Sequence, residues 1–556
     1  MDAAQAPCNG LQPGSRRLYC LDVDKYMDAN GDGIGDFEGL SRRLEYLHGL
    51  GVTCLWLQPF YPTPNRDNGY DVTDFYGVNT KNGSPGDFVE CMNHAKALGM
   101  RVIVDLVVNH TSIDHPWFQH ARANPQSPFR DWYVWADDRP RDHEKGVVFP
   151  GVQRSTWTFD DAAGMWYFHR FYEHQPDLDA HNPAVRDEIM KIMGYWLELG
   201  VSGFRMDAVP FLVERKGPDV EPGKDFALLH EMRTSLSWRR GDAIMLAEAN
   251  VPPDESIAYF GDEGDHLQMM LNFPVNQRLW YALATGETGP LVWALQQTAK
   301  RPPNAQWVHF LRSHDECDLG RLSPEQRAEV FAALAPEARM QLYDRGIRRR
   351  LAPMLGNDRR RLELALSLLF SLPGTPMMQY GDEIGMGDDL VLDERECART
   401  PMQWTNERHG GFSRAERTVR PVIDDAEYGY RTVNVADQRR DPASLLNWCE
   451  RRIRMRKKCP ELGWGDFTVL RTDPPEVLVL RYDFRGVSML TLHNFSNRPR
   501  TVAVDPRVKG GNVLTDVFDE NHSRTENGTH ELKLPAYGHR WMRVGAIDNT
   551  LNRGAF

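Results

Sequence analysis

Eight short apolar runs rich in β-branched residues recur along this 556-residue chain, separated by longer amphipathic stretches, and this alternation limits the fold more than any other feature. The runs cover residues 18–23, 52–57, 101–108, 203–209, 243–249, 268–272, 307–311 and 376–380. Runs that stay apolar at nearly every position suit strands buried on both faces, as in a parallel sheet. The intervening segments, for example 85–98, 184–199 and 362–370, place apolar residues three and four apart, the spacing of one helix face. The alternation predicts an α/β fold, a (β/α)8 TIM barrel.

Two stretches break the repeat. Residues 109–175 lose the periodicity and fill with aromatic and polar side chains, among them Trp117, Trp132, Tyr133, Trp135, Trp157 and Trp166. They read as a small domain inserted after the third strand, over the barrel mouth. From about residue 466 to 544 the pattern becomes short alternating runs, 476–482, 488–494, 501–504 and 541–544, with turn residues between them. That predicts a C-terminal antiparallel β-sandwich. The expected division is a barrel of residues 1–108 and 176–464, an inserted domain of 109–175 and a sandwich of 465–556.

Composition narrows the function. Hydrophobic residues at 41% and charged residues at 26% are ordinary for a soluble globular chain. A net charge of −12 without a long basic patch makes nucleic acid an unexpected partner. The eight cysteines, at 8, 20, 54, 91, 317, 397, 449 and 459, form no CxxC pair and several lie in apolar runs, so buried free thiols in a reducing cytoplasm are expected. The first residues lack the basic and apolar regions of a secretory leader, and no stretch of about 18 apolar residues occurs, so neither secretion nor a membrane span is expected. The expected location is cytoplasmic and the expected partner a small molecule, with homo-oligomerisation left open.

Charged residues cluster at the ends of the candidate strands, where barrel active sites form. The third ends Asp105-Leu-Val-Val-Asn109-His110, the fourth contains Arg205-Met-Asp207, the fifth Glu248-Ala-Asn250 and the seventh His314-Asp315-Glu316. One carboxylate at a strand end is usually a salt bridge or cap; three at one mouth, with Arg205 and His314 beside them, point to chemistry. These four segments, together with Gly69-Tyr70-Asp71-Val72, Gln175-Pro-Asp177-Leu178 and Gly374-Thr-Pro-Met-Met-Gln-Tyr380-Gly-Asp-Glu383, resemble in order the signature regions of the α-amylase superfamily, glycoside hydrolase family 13.

The resemblance implies Asp207 as nucleophile, Glu248 as acid/base and Asp315 as the third carboxylate, gripping ring hydroxyls. Retaining cleavage of an acetal needs two such carboxyls about 5–5.5 Å apart, one ionised and one protonated. Arg205, two residues before Asp207 on the same strand face, should keep Asp207 ionised. His110 and His314 are implied as further donors, Asp67 and Tyr70 as the pair closing the terminal glucose pocket, and Arg399 as an extra contact there.

Cations are expected at two places. Asp28-Ala-Asn30-Gly-Asp32-Gly-Ile34-Gly-Asp36 sets oxygen ligands at alternate residues with glycines for turning, which suits calcium. Residue twelve of that run is Gly39 rather than the glutamate of an EF-hand, so the barrel-loop calcium site of the superfamily fits better. By resemblance, a second structural site would draw on Asn109, Asp177 and Glu214, with backbone oxygens of Phe211 and Leu212.

Several blocks, Leu246-Ala-Glu-Ala-Asn250, residues 345–355 and Arg399-Thr-Pro-Met-Gln-Trp404, look most like the trehalose synthase branch, which interconverts maltose and trehalose. The implied activity is retaining α-glucosyl transfer through a covalent β-glucosyl-enzyme, with side hydrolysis to glucose. Hydrolysis as an α-glucosidase or amylase-type enzyme stays open as the alternative. A binding protein without catalysis would lose the carboxylates, and all three are present.

Overall fold

A computed structural model of the chain describes residues 16–218, 220, 223–519 and 521–545. Eight parallel strands close into a barrel: β1 Leu18–Leu21, β2 Cys54–Leu57, β3 Arg101–Leu106, β4 Gly203–Met206, β5 Ile244–Ala247, β6 Met269–Leu271, β7 Gln306–Phe310 and β8 Thr375–Gln379. Each lies within or against one of the eight apolar runs. The runs are apolar because both strand faces are buried. Alternate residues, such as Leu18, Cys20, Trp56, Ile103, Leu246, Met269, Val308 and Met377, fill the barrel interior. Their neighbours, such as Tyr19, Leu21, Leu55, Val104, Phe204 and Met245, pack against the surrounding helices.

The helices begin where the sequence caps them. Pro85–Ala97 starts at Ser84, whose hydroxyl accepts from the Asp87 N–H while the Asp87 carboxylate accepts from Ser84 in return. Pro183–Glu198 starts at Asn182 with proline in the first turn, and Arg359–Ser371 starts at Asp358.

Between β3 and the helix at Pro183, a small antiparallel sheet of Trp135–Ala136, Met165–Phe168 and Trp157–Asp160 forms the insertion. Its aromatic residues form their own core. Phe118 stacks on Trp135 at 5.5 Å, and Trp157 meets Phe168 edge-on at 5.2 Å. A bridge between His110 and Asp177 closes its base.

At the C-terminus, a six-stranded antiparallel sheet faces a two-stranded one. In Val477–Phe484, Val477 and Val479 face the small sheet, while Leu478, Leu480 and Tyr482 face the barrel. Both faces of the larger sheet are therefore buried, and Tyr482 anchors it by donating to Ser371 O at 2.6 Å. The seven described cysteines are free and buried; Cys8 lies outside the described residues. Among the described residues, no helix is long and apolar enough to cross a membrane.

Candidate active site

The interior face of the barrel turns from apolar to charged at the C-terminal ends of the strands. On β3, Asp105 follows Ile103 on that face, and the register sets it opposite Arg205 of β4. Two residues on, Asp207 projects the same way, just past the strand end. The next residue, Ala208, is left-handed (φ 49°, ψ 37°), a conformation a residue with a Cβ adopts at some cost. Its N–H donates to Glu248 Oε2 at 3.3 Å, so the turn after β4 helps hold the carboxyl that follows β5.

Arg205 organises the site. Its Nη1 lies 2.5 Å from both Asp105 Oδ1 and Asp207 Oδ1, and its Nη2 lies 2.7 Å from Glu248 Oε2. The guanidinium lies over the Trp56 ring at 4.9 Å, and the Trp56 indole N–H donates to Asp105 at 2.9 Å. Three carboxyls thus share one cation in a buried space. Burial pushes Asp207 up to about 6, with Arg205 opposing it. Burial pushes Glu248 further, to about 7, again against Arg205, and raises Asp105 to about 6. Asp207 is therefore mostly ionised at neutral pH, and Glu248 is the more readily protonated of the pair.

Asp315 differs because its charge is matched. Burial works to raise its carboxyl, but the His314 ring and the Arg395 and Arg399 guanidiniums override that and leave it well below the usual range. His314 Nε2 is 3.1 Å from Asp315 Oδ2, while Arg395 and Arg399 reach Oδ1 at 3.1 and 3.3 Å. His314 also meets the Tyr70 hydroxyl at 2.7 Å and stacks on its ring. Burial lowers His314 to about 3 and His110 to about 4, so both rings are neutral. His110 Nε2 bonds the Tyr70 carbonyl at 3.0 Å, and Asn109 approaches its Nδ1 at 3.4 Å. Asp67 accepts from Gln175 at 2.9 Å and is raised to about 6 by burial.

A cavity of about 640 Å³ joins these groups: Asp67, Tyr70, His110, Arg205, Asp207, Glu248, His314 and Asp315 all line it. Arg399 sits behind Asp315, its Nε on His314 O at 2.9 Å. The insertion reaches the mouth through Gly146–Phe149, Arg170 and Phe171. Arg345 Nη1 donates to Val148 O at 2.7 Å, and Arg395 lies over the Phe149 ring at 5.0 Å. Tyr172 and Tyr343 both donate to Glu394 Oε2, at 3.1 and 3.2 Å.

Sequence reasoning missed Asp105, Gln175, Arg345 and Arg395 as site residues. Asp105 gave a signal, being a carboxylate inside the apolar run of β3, on its inward parity. Arg395 lies one helical turn before Arg399, but nothing in the chain placed it on Asp315.

The two expected cation sites differ. In the loop from Asp28 to Asp36, Asp28 accepts from Gly31 and Gly33, Asn30 from Asp32, Asp32 from Ile34, and Asp36 from Ala29 and Asn30. These turns direct the side-chain oxygens to the loop's own N–H groups, and the Asp28, Asp32 and Asp36 carboxylates do not come within 4.8 Å of one another as a set. The residue types, carboxylates and an amide oxygen, are those a hard cation takes. At the second set, Asn109, Asp177, Phe211, Leu212 and Glu214, an ammonium lies among the side-chain oxygens. Lys216 Nζ sits there, 2.7 Å from Asp177 Oδ2 and 2.8 Å from Asn109 Oδ1, while Glu214 pairs with Arg170 at 2.7 Å. No oxygen of Phe211 or Leu212 is among the hydrogen-bond partners of that ammonium.

Paired carboxyls tuned apart by burial, set at the C-terminal mouth of a closed eight-stranded barrel, define the class of carbohydrate-active barrel enzymes. The chain belongs to the α-amylase family: the model of the alpha amylase catalytic domain matches residues 22–465, and that of the sucrose hydrolase-like C-terminal domain matches residues 486–543. It is 41% identical over 548 residues to a trehalose synthase/amylase of Mycolicibacterium smegmatis, covering 96% of this chain and 92% of that protein. It is 39% identical to a trehalose synthase of Pimelobacter sp., with 99% of each covered. A trehalose synthase of Thermus thermophilus is 41% identical over 96% of this chain, which spans 56% of that protein's length. Among solved structures, an alpha-amylase from H. orenii superposes with a TM-score of 0.77 at 26% identity, covering 95% of this chain and 99% of that one.

Proposed function

We propose that this enzyme interconverts maltose and trehalose by retaining α-glucosyl transfer. What carries the reading is the shared guanidinium of Arg205, which holds an ionised Asp207 and a protonatable Glu248 on one side of the cavity. Relatives named trehalose synthases, about 40% identical over nearly the whole chain, support the choice of substrate.

Asp207 attacks C1 of the non-reducing glucose, Glu248 gives its proton to the departing glycosidic oxygen, and the C1–O bond breaks. A β-glucosyl ester on Asp207 and a free glucose result. Asp315, ionised by its arginines, holds ring hydroxyls, and Arg205 stabilises the Asp207 carboxylate as it leaves again. The released glucose turns and offers its anomeric hydroxyl. Glu248, now the base, takes that proton, and the hydroxyl oxygen attacks C1. Two inversions leave an α,α-linkage. Water attacking instead gives glucose, so the cavity must exclude it. Arg345 and Arg395, which pin Val148 and Phe149 of the insertion across the mouth, are suited to that task.

The loop of Asp28, Asn30, Asp32, Ile34 and Asp36 is proposed to hold a structural calcium ion, remote from the reacting bond. Incubating the purified protein with maltose, and separately with trehalose, tests the main reading. Each sugar should yield the other with little glucose; glucose alone would make the enzyme a hydrolase.

A further inference from the structure

At the foot of the insertion, where the sequence implied a divalent ion, an amino acid side chain supplies the positive charge. Lys216 Nζ lies 2.7 Å from Asp177 Oδ2, 2.8 Å from Asn109 Oδ1 and 3.1 Å from Leu178 O, with Asn109 O at 3.4 Å. The Lys216 side chain is 1% exposed and that of Asp177 0%. An ammonium has three protons, and the three nearest oxygens can take one each. These separations are hydrogen-bond lengths, longer than the ~2.3–2.6 Å of calcium–oxygen contacts.

Charge gives the same answer. A divalent ion here would draw on two carboxylates, Asp177 and Glu214. Asp177 instead faces Lys216, and Glu214 faces Arg170 at 2.7 Å, so each carboxylate already has a cation of its own.

We infer that Lys216 is a covalently tethered cation that replaces a metal ion at this site and clamps the insertion to the barrel. Its partners come from separate parts of the chain. Asn109 follows β3, Asp177 and Leu178 close the insertion, and Lys216 itself lies on the segment after β4 that carries Asp207. A joint made this way is indifferent to chelators and to the supply of free metal, whereas one made by a bound ion is not. It also fixes the base of the segments that reach over the cavity.

The test uses the full chain carrying Asp32→Ala, which disables the separate calcium loop whether or not that loop is occupied. With Lys216 intact, this protein should show the same Tm in chelator and in millimolar calcium. Adding Lys216→Ala leaves Asp177 buried without its cation, and should lower Tm in chelator by about 5 °C or more. The double variant should then bind an additional equivalent of Ca²⁺ in equilibrium dialysis and recover most of the lost Tm. Should it not accumulate in folded form, refolding with and without calcium makes the same comparison, and recovery only with calcium supports the inference. Calcium raising Tm equally with Lys216 present would overturn it, as would equal refolding without calcium. So would a loss of Tm that calcium does not restore, because Lys216 would then be an ordinary buried ion pair.

Discussion

Asp207 and Glu248 sit on the two terminal nitrogens of one guanidinium, Arg205 Nη1 at 2.5 Å from the first and Nη2 at 2.7 Å from the second. Because Arg205 also carries Asp105, one positive charge serves three carboxyls. Burial, with the neighbouring carboxyls adding to it against Arg205, raises all three and sets Glu248 above Asp207.

The pH dependence of the reaction follows. In the proposed mechanism Asp207 works ionised and Glu248 works protonated, with values of about 6 and about 7. Turnover should therefore rise as the pH passes about 6 and fall beyond about 7, a narrow bell whose apparent limits belong to the pair together. A rate profile on maltose checks this, and a plateau from about pH 6 to about pH 9 would contradict it.

Stability should show the opposite side of the same arrangement. The folded chain raises Asp207 above its unfolded value, so folding favours the protonated form, and that contribution is lost as pH rises through about 6. Asp207→Asn, which cannot ionise, should raise Tm by a few degrees at about pH 8, with the gain gone below about pH 4. Thermal melts across that range read the difference. A variant less stable than the parent at about pH 8 would count against the account.

The division between transfer and hydrolysis should depend on Arg345. It ties Val148 of the insertion to the barrel side at 2.7 Å and touches neither Asp207 nor Glu248. Arg345→Ala should loosen that tie and raise the ratio of glucose to disaccharide product several-fold, while cleavage of maltose stays within about threefold of the parent. An unchanged product ratio would remove Arg345 from this role.

How much of this was readable beforehand depended on what each feature rests on. The barrel strands were legible because burial on both faces forces an unbroken apolar run, and Ile103 or Leu246 signals that without knowledge of its neighbours. Asp207, Glu248 and Asp315 were legible because strand ends in a barrel meet at one mouth. Lys216 was not. Whether a lysine solvates at the surface or fills a cation site depends on which oxygens the fold brings to it, and Asp177 and Asn109 arrive from distant parts of the chain. Arg345 and Arg395 were hidden for the same reason, since each works across the boundary between the insertion and the barrel loops.

Metal removal should separate the two cation positions. With the loop at Asp28 proposed to hold calcium and the insertion base held by Lys216, chelation should lower Tm by a few degrees in the parent chain and leave an Asp28→Ala variant unmoved. A chelator effect that persists in Asp28→Ala would place a metal elsewhere.

The most direct test of the central claim is to trap the glucosyl group. In Glu248→Gln, a donor such as α-glucosyl fluoride needs no acid to expel fluoride, so the first step proceeds, while the second, which needs Glu248 as base, stalls. Peptide mass spectrometry should then find a glucosyl ester on Asp207, absent when Asp207→Asn is added. An adduct on Asp315 or Asp105, or maltose turnover that survives Asp207→Asn, would contradict the account.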